Sequence, residues 1–320
     1  MSRYVIDSQG LKENIEYIKE KAGVPVIGVV KGNGYGFGIC ELTKALLENG
    51  IKAFAVTEVT DIPVLNEILS DENDILIMRS TCIEAEAKII AENGCIATIG
   101  SSEACRIMNE VSKKLGVKTK CHLKIDTGMG RYGFMPSQIQ EAIDCYKASN
   151  LEFCGIYTHF SSAFRNAELT KAQLTIFKDC ISQIQKAGYE TGVAHCSNSP
   201  ALLNVDGVSM DAVRIGSAFT GRVITKSKTP LHRLGSLEAE IGPNIFQRML
   251  TDDREGSICY GNPSLLIVFR QVCPVRDWSV GLIVCLGCIV HVHFSGDSLG
   301  MIALIISSHM IMLLLVEVVK

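Results

Sequence analysis

Two hydrophobic patterns alternate along the first two thirds of the chain. Segments with apolar residues three and four positions apart predict amphipathic helices, and short runs of β-branched and other apolar residues predict buried strands. The first predicted helix is LKENIEYIKEKAG, which is followed by the strand VIGVV. Seven further predicted strands, separated by helical segments, are AFAVTEV, ILIMR, CIATIG, CHLKIDTG, FCGIYTHF, VAHCSNS and DAVRIG. Eight strands alternating with helices predict a parallel (β/α)8 barrel of the TIM type over residues 1–225.

The pattern changes in the last third of the chain. We expect residues 226–320 to form a smaller C-terminal β-domain that is incomplete or aberrant after about residue 262, where stretches such as GLIVCLGCIVHVHF carry few charges. This tail has three interpretations. It is a divergent β-domain, since HVHF alternates as strands do; or residues 299–316 are long enough, at about 18 residues, to span a membrane; or it is the product of a frameshift or a misjoined fragment, which we favour.

Composition and charge narrow the partners and the compartment. The chain of 320 residues has a net charge of −3 and no basic block, which argues against nucleic acid and makes a membrane partner unexpected. Its start, MSRYVIDSQGLKENIEYI, lacks the unbroken apolar core of a signal peptide, so we expect a cytoplasmic protein. The 13 cysteines show no spacing typical of disulfide scaffolds or zinc sites, and we predict no metal centre.

Polar residues stand at the ends of the predicted strands, where (β/α)8 barrels carry their active sites. Lys31 ends the first strand and precedes a glycine-rich loop that contains Tyr35. Burial there would lower the pKa of Lys31 and make it a nucleophile able to form a Schiff base with an aldehyde. The alternative is a lysine that only reaches to solvent. The later strand ends carry Lys124, Asp126, Arg131, His159, His195, Asn198, Ser199 and Arg214.

A phosphate site is predicted near the last two strands. Ser199 begins a short helix, and the turn at Gly216 and Ser217 offers backbone N–H donors; alternatively, Ser199 is only a helix N-cap. A reactive lysine with a phosphate site indicates pyridoxal 5'-phosphate, an aldehyde that carries a phosphate. A permanently charged Arg214 against the ring nitrogen would favour removal and return of an α-proton over transamination; alternatively, Arg214 pairs with a carboxylate.

Five motifs, in this order, resemble the alanine racemase family of fold type III pyridoxal-phosphate enzymes: VVKGNGYGFG, HLKIDTGMGRYGF, YTHF, HCSNSPA and VRIG. The resemblance covers about residues 3–225. It implies an isomerase that interconverts L- and D-alanine, chiefly to supply D-alanine for bacterial peptidoglycan. It also implies a homodimer, provided that the C-terminal domain folds, because in this family that domain completes the active site of the partner subunit.

The resemblance assigns cofactor-binding roles to matching positions of this chain. Lys31 is the lysine that binds the cofactor and serves as one catalytic base. The implied phosphate ligands are Tyr35, Ser199, Gly216 and Ser217.

The resemblance also implies how the other strand-end residues act. Arg214 faces the pyridine nitrogen, His159 bonds to that arginine, and Arg131 contacts the cofactor and the substrate carboxylate. Lys124 matches a lysine that many members carbamylate to orient Arg131, and Asn198 is a supporting residue.

Racemisation requires a second base on the opposite face of the planar carbanion. In the family this base is a tyrosine of the C-terminal domain, and Tyr260 in CYGNPS stands at about the expected separation from Arg214. A phenol of pKa about 10 needs neighbouring cations to act at neutral pH. The alternative is that Tyr260 is an ordinary turn residue.

Departures from the family pattern leave two further functions open. Gly32 and Gly34 replace alanines and Phe37 replaces a histidine, changes that we expect to loosen the loop after Lys31. No GYADG-like segment and no methionine–aspartate segment is recognisable after about residue 262. The chain could therefore bind pyridoxal phosphate without turnover, as a remnant or carrier, or could racemise serine or a basic amino acid.

Overall fold

A computed structural model of the protein describes residues 3–240 and five further strands, at 267–272, 279–285, 288–295, 301–307 and 310–316. The chain divides into two compact units. One comprises residues 10–232, and the other comprises residues 1–9 together with 233–320. The first nine residues, which the sequence pattern assigned to the barrel, therefore group with the C-terminal region.

Nine strands lie within residues 3–215. In chain order they are β1 (Arg3–Ile6), β2 (Val26–Val29), β3 (Ala53–Val56), β4 (Asp74–Ile77), β5 (Ala97–Ile99), β6 (Thr119–Lys124), β7 (Leu151–Tyr157), β8 (Val193–His195) and β9 (Val213–Ile215). The helices are α1 (Ser8–Ala22), α2 (Lys31–Tyr35), α3 (Ile39–Glu48), α4 (Ile62–Asn66), α5 (Glu84–Glu92), α6 (Ser102–Leu115), α7 (Ile139–Cys145), α8 (Ala167–Lys186) and α9 (Ser199–Asn204). Single 3₁₀ turns, Val59–Asp61 and Pro136–Gln138, precede α4 and α7.

The unit of residues 10–232 is a ring of eight parallel strands, which confirms the predicted barrel. β2, β3, β4 and β9 form one group of four strands, and β5 to β8 form the other. A bridge between Leu76 and Ile96 joins β4 to β5, and a bridge between His195 and Ala212 joins β8 to the segment entering β9. Because every strand runs in the same direction, all eight C-terminal ends lie at one end of the ring.

The helix α6 illustrates how the sequence defines the outer layer. Ser101 caps its start, since the Ser101 hydroxyl oxygen accepts a hydrogen bond of 3.1 Å from the Ala104 amide. Gly116 ends it in the left-handed conformation with φ of 68°. Met108 and Val111, three positions apart, are buried on the same face. Complete burial of each such side chain contributes about 1.5–3 kcal/mol to the free energy of unfolding.

The barrel interior is apolar on one side and polar on the other. The apolar side is a cluster formed by buried residues of β2, β3, β4 and neighbouring segments: Ile27, Val29, Ala55, Leu76, Met78, Ile96 and Ala212. The polar side is formed by β6 to β9, where His122, Tyr157, His195 and Arg214 are all at most 5% exposed. Buried polar groups must be hydrogen-bonded, so this side holds a fixed network rather than a fluid interior.

In the other unit, the described strands form one sheet. The additional strands are β10 (Gly235–Glu240), β11 (Ile267–Val272), β12 (Ser279–Cys285), β13 (Cys288–Ser295), β14 (Met301–Ser307) and β15 (Met310–Val316). The order is β1, then β10 to β15 in sequence, and only the β10–β11 pair is parallel. The run HVHF lies in β13, and β14 and β15 occupy most of residues 299–316.

Among the described residues no helix has the length and apolar character needed to cross a membrane. The interpretation of the tail as a frameshift product, and the domain boundary at residue 225, stay predictions.

Candidate active site

The C-terminal ends of β2 and of β6 to β9 bring most of the predicted site residues to one end of the barrel. Lys31 follows β2, Lys124 is the last residue of β6, and His159 is the second residue after β7. Ser199 begins α9 after β8, and Arg214 is the central residue of β9. Tyr260, the predicted second base, lies outside the described residues.

Lys31 lies partly buried at the start of the turn α2. Burial lowers the pKa of its amine, and the neighbouring charge of Arg131 lowers it further. This confirms the lowered pKa that the sequence predicted for a lysine at a strand end. A larger fraction of the amine is therefore neutral, and nucleophilic, than for a lysine in water.

The turn after Lys31 is left-handed, which explains its glycines. Gly32, Asn33 and Gly34 have φ of 61°, 51° and 61°. L-residues pay about 1–2 kcal/mol each in this conformation, whereas glycine adopts it without steric cost. The side chain of Asn33 supports the turn, because its Oδ1 accepts a hydrogen bond of 3.0 Å from the amide of Ile39.

Tyr35 completes this turn with φ of 56°, an uncommon conformation for a bulky residue. Its ring end packs directly on the Cα of Gly216, so that a Cβ at Gly216 would overlap the Tyr35 hydroxyl. Burial raises the pKa of Tyr35 to about 12. The hydroxyl is therefore protonated at neutral pH.

A set of donors converges at the predicted phosphate site. The amides of Gly216 and Ala218 both point at the hydroxyl oxygen of Ser199, each at 3.3 Å. The helix α9 is capped by Asn198, whose Oδ1 accepts a hydrogen bond of 3.0 Å from the amide of Ala201. The alternative reading of Ser199 as the N-cap is therefore wrong, and its hydroxyl belongs to the cluster of amides.

The sequence predicted the amides of Gly216 and Ser217 for this cluster and missed Ala218. The carbonyl oxygen of Ser217 faces the other way, accepting hydrogen bonds of 2.9 Å from the Thr220 hydroxyl and 3.0 Å from the Arg222 amide. The spacing of a tight turn contains no signal for which amide of the turn points inward.

Arg214 is held by backbone carbonyl groups and by a histidine rather than by a carboxylate. Nη1 donates to Nδ1 of His195 at 2.7 Å and to the carbonyl oxygen of His195 at 3.0 Å. Nη2 donates to the carbonyl oxygens of Thr158 at 2.7 Å and Cys196 at 3.3 Å. Within the described part of the chain, these contacts engage both terminal nitrogens and leave Nε–H outside them.

His159, the predicted partner of Arg214, is not its closest histidine. Nδ1 of His159 lies 3.5 Å from Nη2 of Arg214, and its Nε2 lies 3.3 Å from Nδ2 of Asn198. His195 is nearer and in turn contacts His122, with 2.8 Å between His195 Nε2 and His122 Nδ1. His195 was visible in the sequence as a polar strand end, but neither it nor His122 was assigned a role.

Lys124 is 1% exposed, and its Nζ donates to the carbonyl oxygen of Ile125 at 2.8 Å. Burial lowers its pKa; the Asp126 charge opposes this, the charges of Arg214 and Arg131 add to it, and the result is about 7. Its Nζ also lies 5.6 Å from the ring centroid of Tyr132. A larger fraction of this amine is therefore neutral at pH 7 than for a lysine in water.

Asp126 organises the loop that carries Arg131. Its Oδ1 accepts hydrogen bonds from the amides of Gly128, Met129 and Gly130 at 2.9, 2.7 and 3.2 Å, and its Oδ2 accepts one from Arg131 at 3.0 Å. Burial alone would raise the pKa of this carboxyl, but the amides and the Lys124 charge lower it overall. The guanidinium of Arg131 lies 5.0 Å from the ring centroid of Tyr132.

This end of the barrel brings backbone amides and hydroxyl groups near a partly buried amine. The amides of Gly216 and Ala218 donate to the Ser199 hydroxyl, the end of the Tyr35 ring lies beside Gly216, and the charge of Arg131 lowers the pKa of Lys31. Within the described residues no group of three or more acidic, histidine or cysteine side chains is arranged to hold a metal ion.

Comparison with known proteins gives matches to one family. The sequence model described as "Alanine racemase, N-terminal domain" matches residues 6–223. The alanine racemase of Methanococcus maripaludis is 31% identical over 221 residues, which are 68% of this chain and 59% of the relative. That of Treponema denticola is 31% identical over 229 residues, 69% of this chain and 59% of the relative. The chain thus spans less than two thirds of the length of these relatives.

Solved structures agree with the sequence matches. The alanine racemase of Clostridium difficile 630 in complex with cycloserine is similar with a TM-score of 0.69 at 27% identity, over 74% of this chain and 67% of that one. The alanine racemase of Bartonella henselae with covalently bound pyridoxal phosphate has a TM-score of 0.68 at 21% identity, over 88% of this chain and 73% of that one. At 21% identity, the match to the Bartonella henselae structure shows a shared fold only.

Proposed function

This chain belongs to the alanine racemase family, and from that premise we propose that it is a pyridoxal-phosphate-dependent isomerase that interconverts L- and D-alanine. The observation that carries the proposal is the meeting, at one end of the barrel, of a partly buried lysine of lowered pKa with a cluster of donors shaped for a phosphate. Each feature is common alone, but together they match a cofactor that carries both an aldehyde and a phosphate.

The described residues fit pyridoxal phosphate. Gly216 lacks a Cβ at the place where the Tyr35 hydroxyl packs, which brings a protonated phenol beside the amide of Gly216. We assign the phosphate to Tyr35, Ser199 and the turn at Gly216 and Ser217, and we add the amide of Ala218. Lys31 is the amine that would hold the aldehyde carbon. When bound, the cofactor withdraws electrons from the α-carbon of an amino acid and makes its α-hydrogen acidic.

Arg214 supports proton return rather than group transfer. Its terminal nitrogens are held by the carbonyl oxygens of Thr158, His195 and Cys196, so its remaining donor, Nε–H, has a defined direction. We propose that this donor faces the ring nitrogen, which then stays unprotonated because a guanidinium does not give up its proton. The weaker electron sink disfavours transamination.

The proton transfers need two bases, and one is in the described part of the chain. Lys31, in its neutral form, removes or returns the α-proton on one face, because its lowered pKa makes that form accessible. Tyr260 remains our proposed base for the opposite face. Arg131 would bind the substrate carboxylate, from a loop whose shape is set by the carboxylate of Asp126.

Lys124 is proposed to carry a carbamate that orients Arg131. A neutral amine is required to attack carbon dioxide, with release of one proton, and a pKa of about 7 makes that form abundant at neutral pH. His159 is proposed as a cofactor-binding residue beside Arg214, and Asn198, whose Nδ2 lies 3.3 Å from Nε2 of His159, is proposed as a supporting residue.

The finer statements on biology are also proposals. We propose alanine as the substrate, a cytoplasmic homodimer as the functional form, and the supply of D-alanine for peptidoglycan as the role. They are supported by the similarity to alanine racemases over 68% of the chain.

The proposal is tested on the purified full chain mixed with pyridoxal phosphate. We expect a visible absorbance band, and borohydride reduction should fix the pyridoxyl group on Lys31, located by peptide mass spectrometry. Lys31→Ala should abolish both, whereas Lys12→Ala, at an exposed position of α1, should leave both unchanged. A colourless wild-type mixture with no label at Lys31 overturns the cofactor assignment.

Turnover is tested separately by deuterium exchange. Incubation with L- or D-alanine in deuterated water should exchange the α-hydrogen and give both enantiomers. Binding without exchange would instead support a remnant or carrier. Exchange with serine or lysine but not alanine would assign a different substrate, and exchange on one face alone would show that Tyr260 does not act.

A further inference from the structure

Two buried histidines extend from Arg214 across the polar side of the barrel interior, and the donor direction along this link is determined by geometry. Nη1 of Arg214 lies 2.7 Å from Nδ1 of His195, and Nε2 of His195 lies 2.8 Å from Nδ1 of His122. The three residues come from β9, β8 and β6. We refer to Arg214, His195 and His122 as the histidine relay.

A guanidinium has only donors, so Nδ1 of His195 must accept and carries no hydrogen. The hydrogen of that ring is therefore on Nε2, which donates to His122. Nδ1 of His122 must in turn be the acceptor, and the hydrogen of the second ring is on Nε2. Burial, followed by the charge of Arg214, lowers the pKa of His122 to about 3, and the same causes lower the pKa of His195, so both rings are neutral.

The surroundings are shaped to hold both rings. The ring of His195 stacks on that of Tyr157 with centroids 5.0 Å apart and an interplanar angle of 7°. The hydroxyl of Tyr157 donates to the carbonyl oxygen of Met78 at 2.8 Å, which fixes that ring. The ring of His122 lies against Gly155 of β7, where a Cβ would overlap it. Gly155 is therefore required for space.

We propose that His122 is a positioning residue: by accepting from Nε2–H it holds the ring of His195 where Nδ1 accepts from Arg214, and so holds the guanidinium in its observed direction. The positioning role rests on the proposed function, whereas the hydrogen bonds of the histidine relay belong to the chain without any cofactor. His122 acts on Arg214 by way of His195, through two hydrogen bonds.

Replacing His122 by a residue without a hydrogen-bond acceptor should leave the guanidinium of Arg214 less firmly oriented. Without that acceptor, Nε2–H of His195 is buried and unpaired, and we expect the imidazole to shift toward another acceptor. Nδ1 would then no longer lie against Nη1 of Arg214, and the guanidinium would lose this contact. Asparagine retains an acceptor oxygen near the position of Nδ1, whereas leucine has similar size and no acceptor, so the two form a matched pair.

The tautomers are measured first, on the cofactor-free full chain labelled with ¹⁵N-histidine. Long-range ¹H–¹⁵N correlation spectra between pH 6 and 8 should show His122 and His195 neutral with hydrogen on Nε2. His122→Asn should preserve the Nε2–H resonance of His195, and His122→Leu should shift or broaden it while the hydrogen stays on Nε2. Hydrogen on Nδ1 of either ring in the wild-type chain overturns the proposal, whether or not any variant folds.

The consequence for the site is measured by titration with pyridoxal phosphate. His122→Leu should raise the Kd about tenfold and shift the visible band of the bound cofactor, as expected for the loss of one buried hydrogen bond. His122→Asn should restore both. Gly155→Ala, which displaces the ring without changing its chemistry, should resemble His122→Leu. Equal Kd and equal spectra in all folded variants would contradict the proposal.

The two failures are distinguishable. A wild-type chain that binds no cofactor disproves the proposed function, while its histidine spectra still decide the relay. A wild-type chain that binds and racemises, with a His122→Leu variant that has an unchanged spectrum and Kd, disproves only the positioning role.

Discussion

The packing of Tyr35 on Gly216 makes a sharp test of the phosphate site. In Gly216→Ala the new Cβ would meet three atoms at the end of the Tyr35 ring. The ring end would have to move by roughly 1–1.4 Å to restore ordinary contact near 3.5 Å. The ring cannot retreat freely, because Tyr35 is anchored in a left-handed turn with φ of 56°.

The magnitude follows from overpacking a constrained site. Forced insertion of a methyl group costs typically about 1–3 kcal/mol. If half or more of this free-energy cost weakens cofactor binding rather than folding, the Kd for pyridoxal phosphate rises by roughly threefold to a hundredfold. The assay is titration of the chain with the cofactor, followed by absorbance, with thermal unfolding measured in parallel.

A double-mutant cycle supplies the control. In Tyr35→Ala the clashing ring is gone, so that adding Gly216→Ala should cost less than about 0.5 kcal/mol in the free energy of cofactor binding. Wild-type affinity and an unchanged melting temperature for Gly216→Ala would refute the reasoning, because the contact that excludes a Cβ would then not exist. An equal penalty with and without Tyr35 would assign the effect to the backbone of the turn.

Three further predictions concern the neighbouring loops. Asp126→Asn should lower the free energy of unfolding by about 1–3 kcal/mol at pH 7, because its amide nitrogen would face the Arg131 N–H, as measured by urea unfolding. Because the pKa of Asp126 is lowered in the folded chain, its contribution is present above about pH 4 and is lost as the pH falls below that value; the variant should lack this acid-dependent component. Lys124 should give a carbamate signal in ¹³C NMR with labelled bicarbonate, stronger at pH 8 than at pH 6 since its pKa is about 7; a signal that persists in Lys124→Ala would contradict the assignment. Asn198→Ala should cost about 1 kcal/mol in urea unfolding through loss of the α9 cap to Ala201, and Asn198→Asp should retain most of it.

The elements of the barrel were predictable because their signals are local. Eight apolar runs separated by helical segments specify alternating parallel strands, and no contact between distant residues has to be known. Lys31 was identifiable for the same reason, since a lysine that directly follows a buried strand must stand at the strand-end side of a barrel. The lowered pKa of its amine followed from burial.

The left-handed turn could be anticipated only in part. Glycine at positions 32 and 34 permits positive φ, but the same residues would also suit an irregular loop. Gly32 and Gly34 were expected to loosen the segment, whereas in the structure they allow a defined turn that carries Tyr35 onto Gly216. The two residues of this contact are far apart in the chain, and nothing local to either one encodes the other.

The sequence by itself determined the barrel and the order of polar strand ends, and with them the lysine at the first strand. Only the tertiary structure decided that His122, His195 and Arg214 touch, that Ala218 rather than Ser217 turns its amide to Ser199, and that Asn198 caps α9. The physical reason is that hydrophobic period and turn chemistry act over a few residues, whereas these contacts form when ring closure sets the distances between strands.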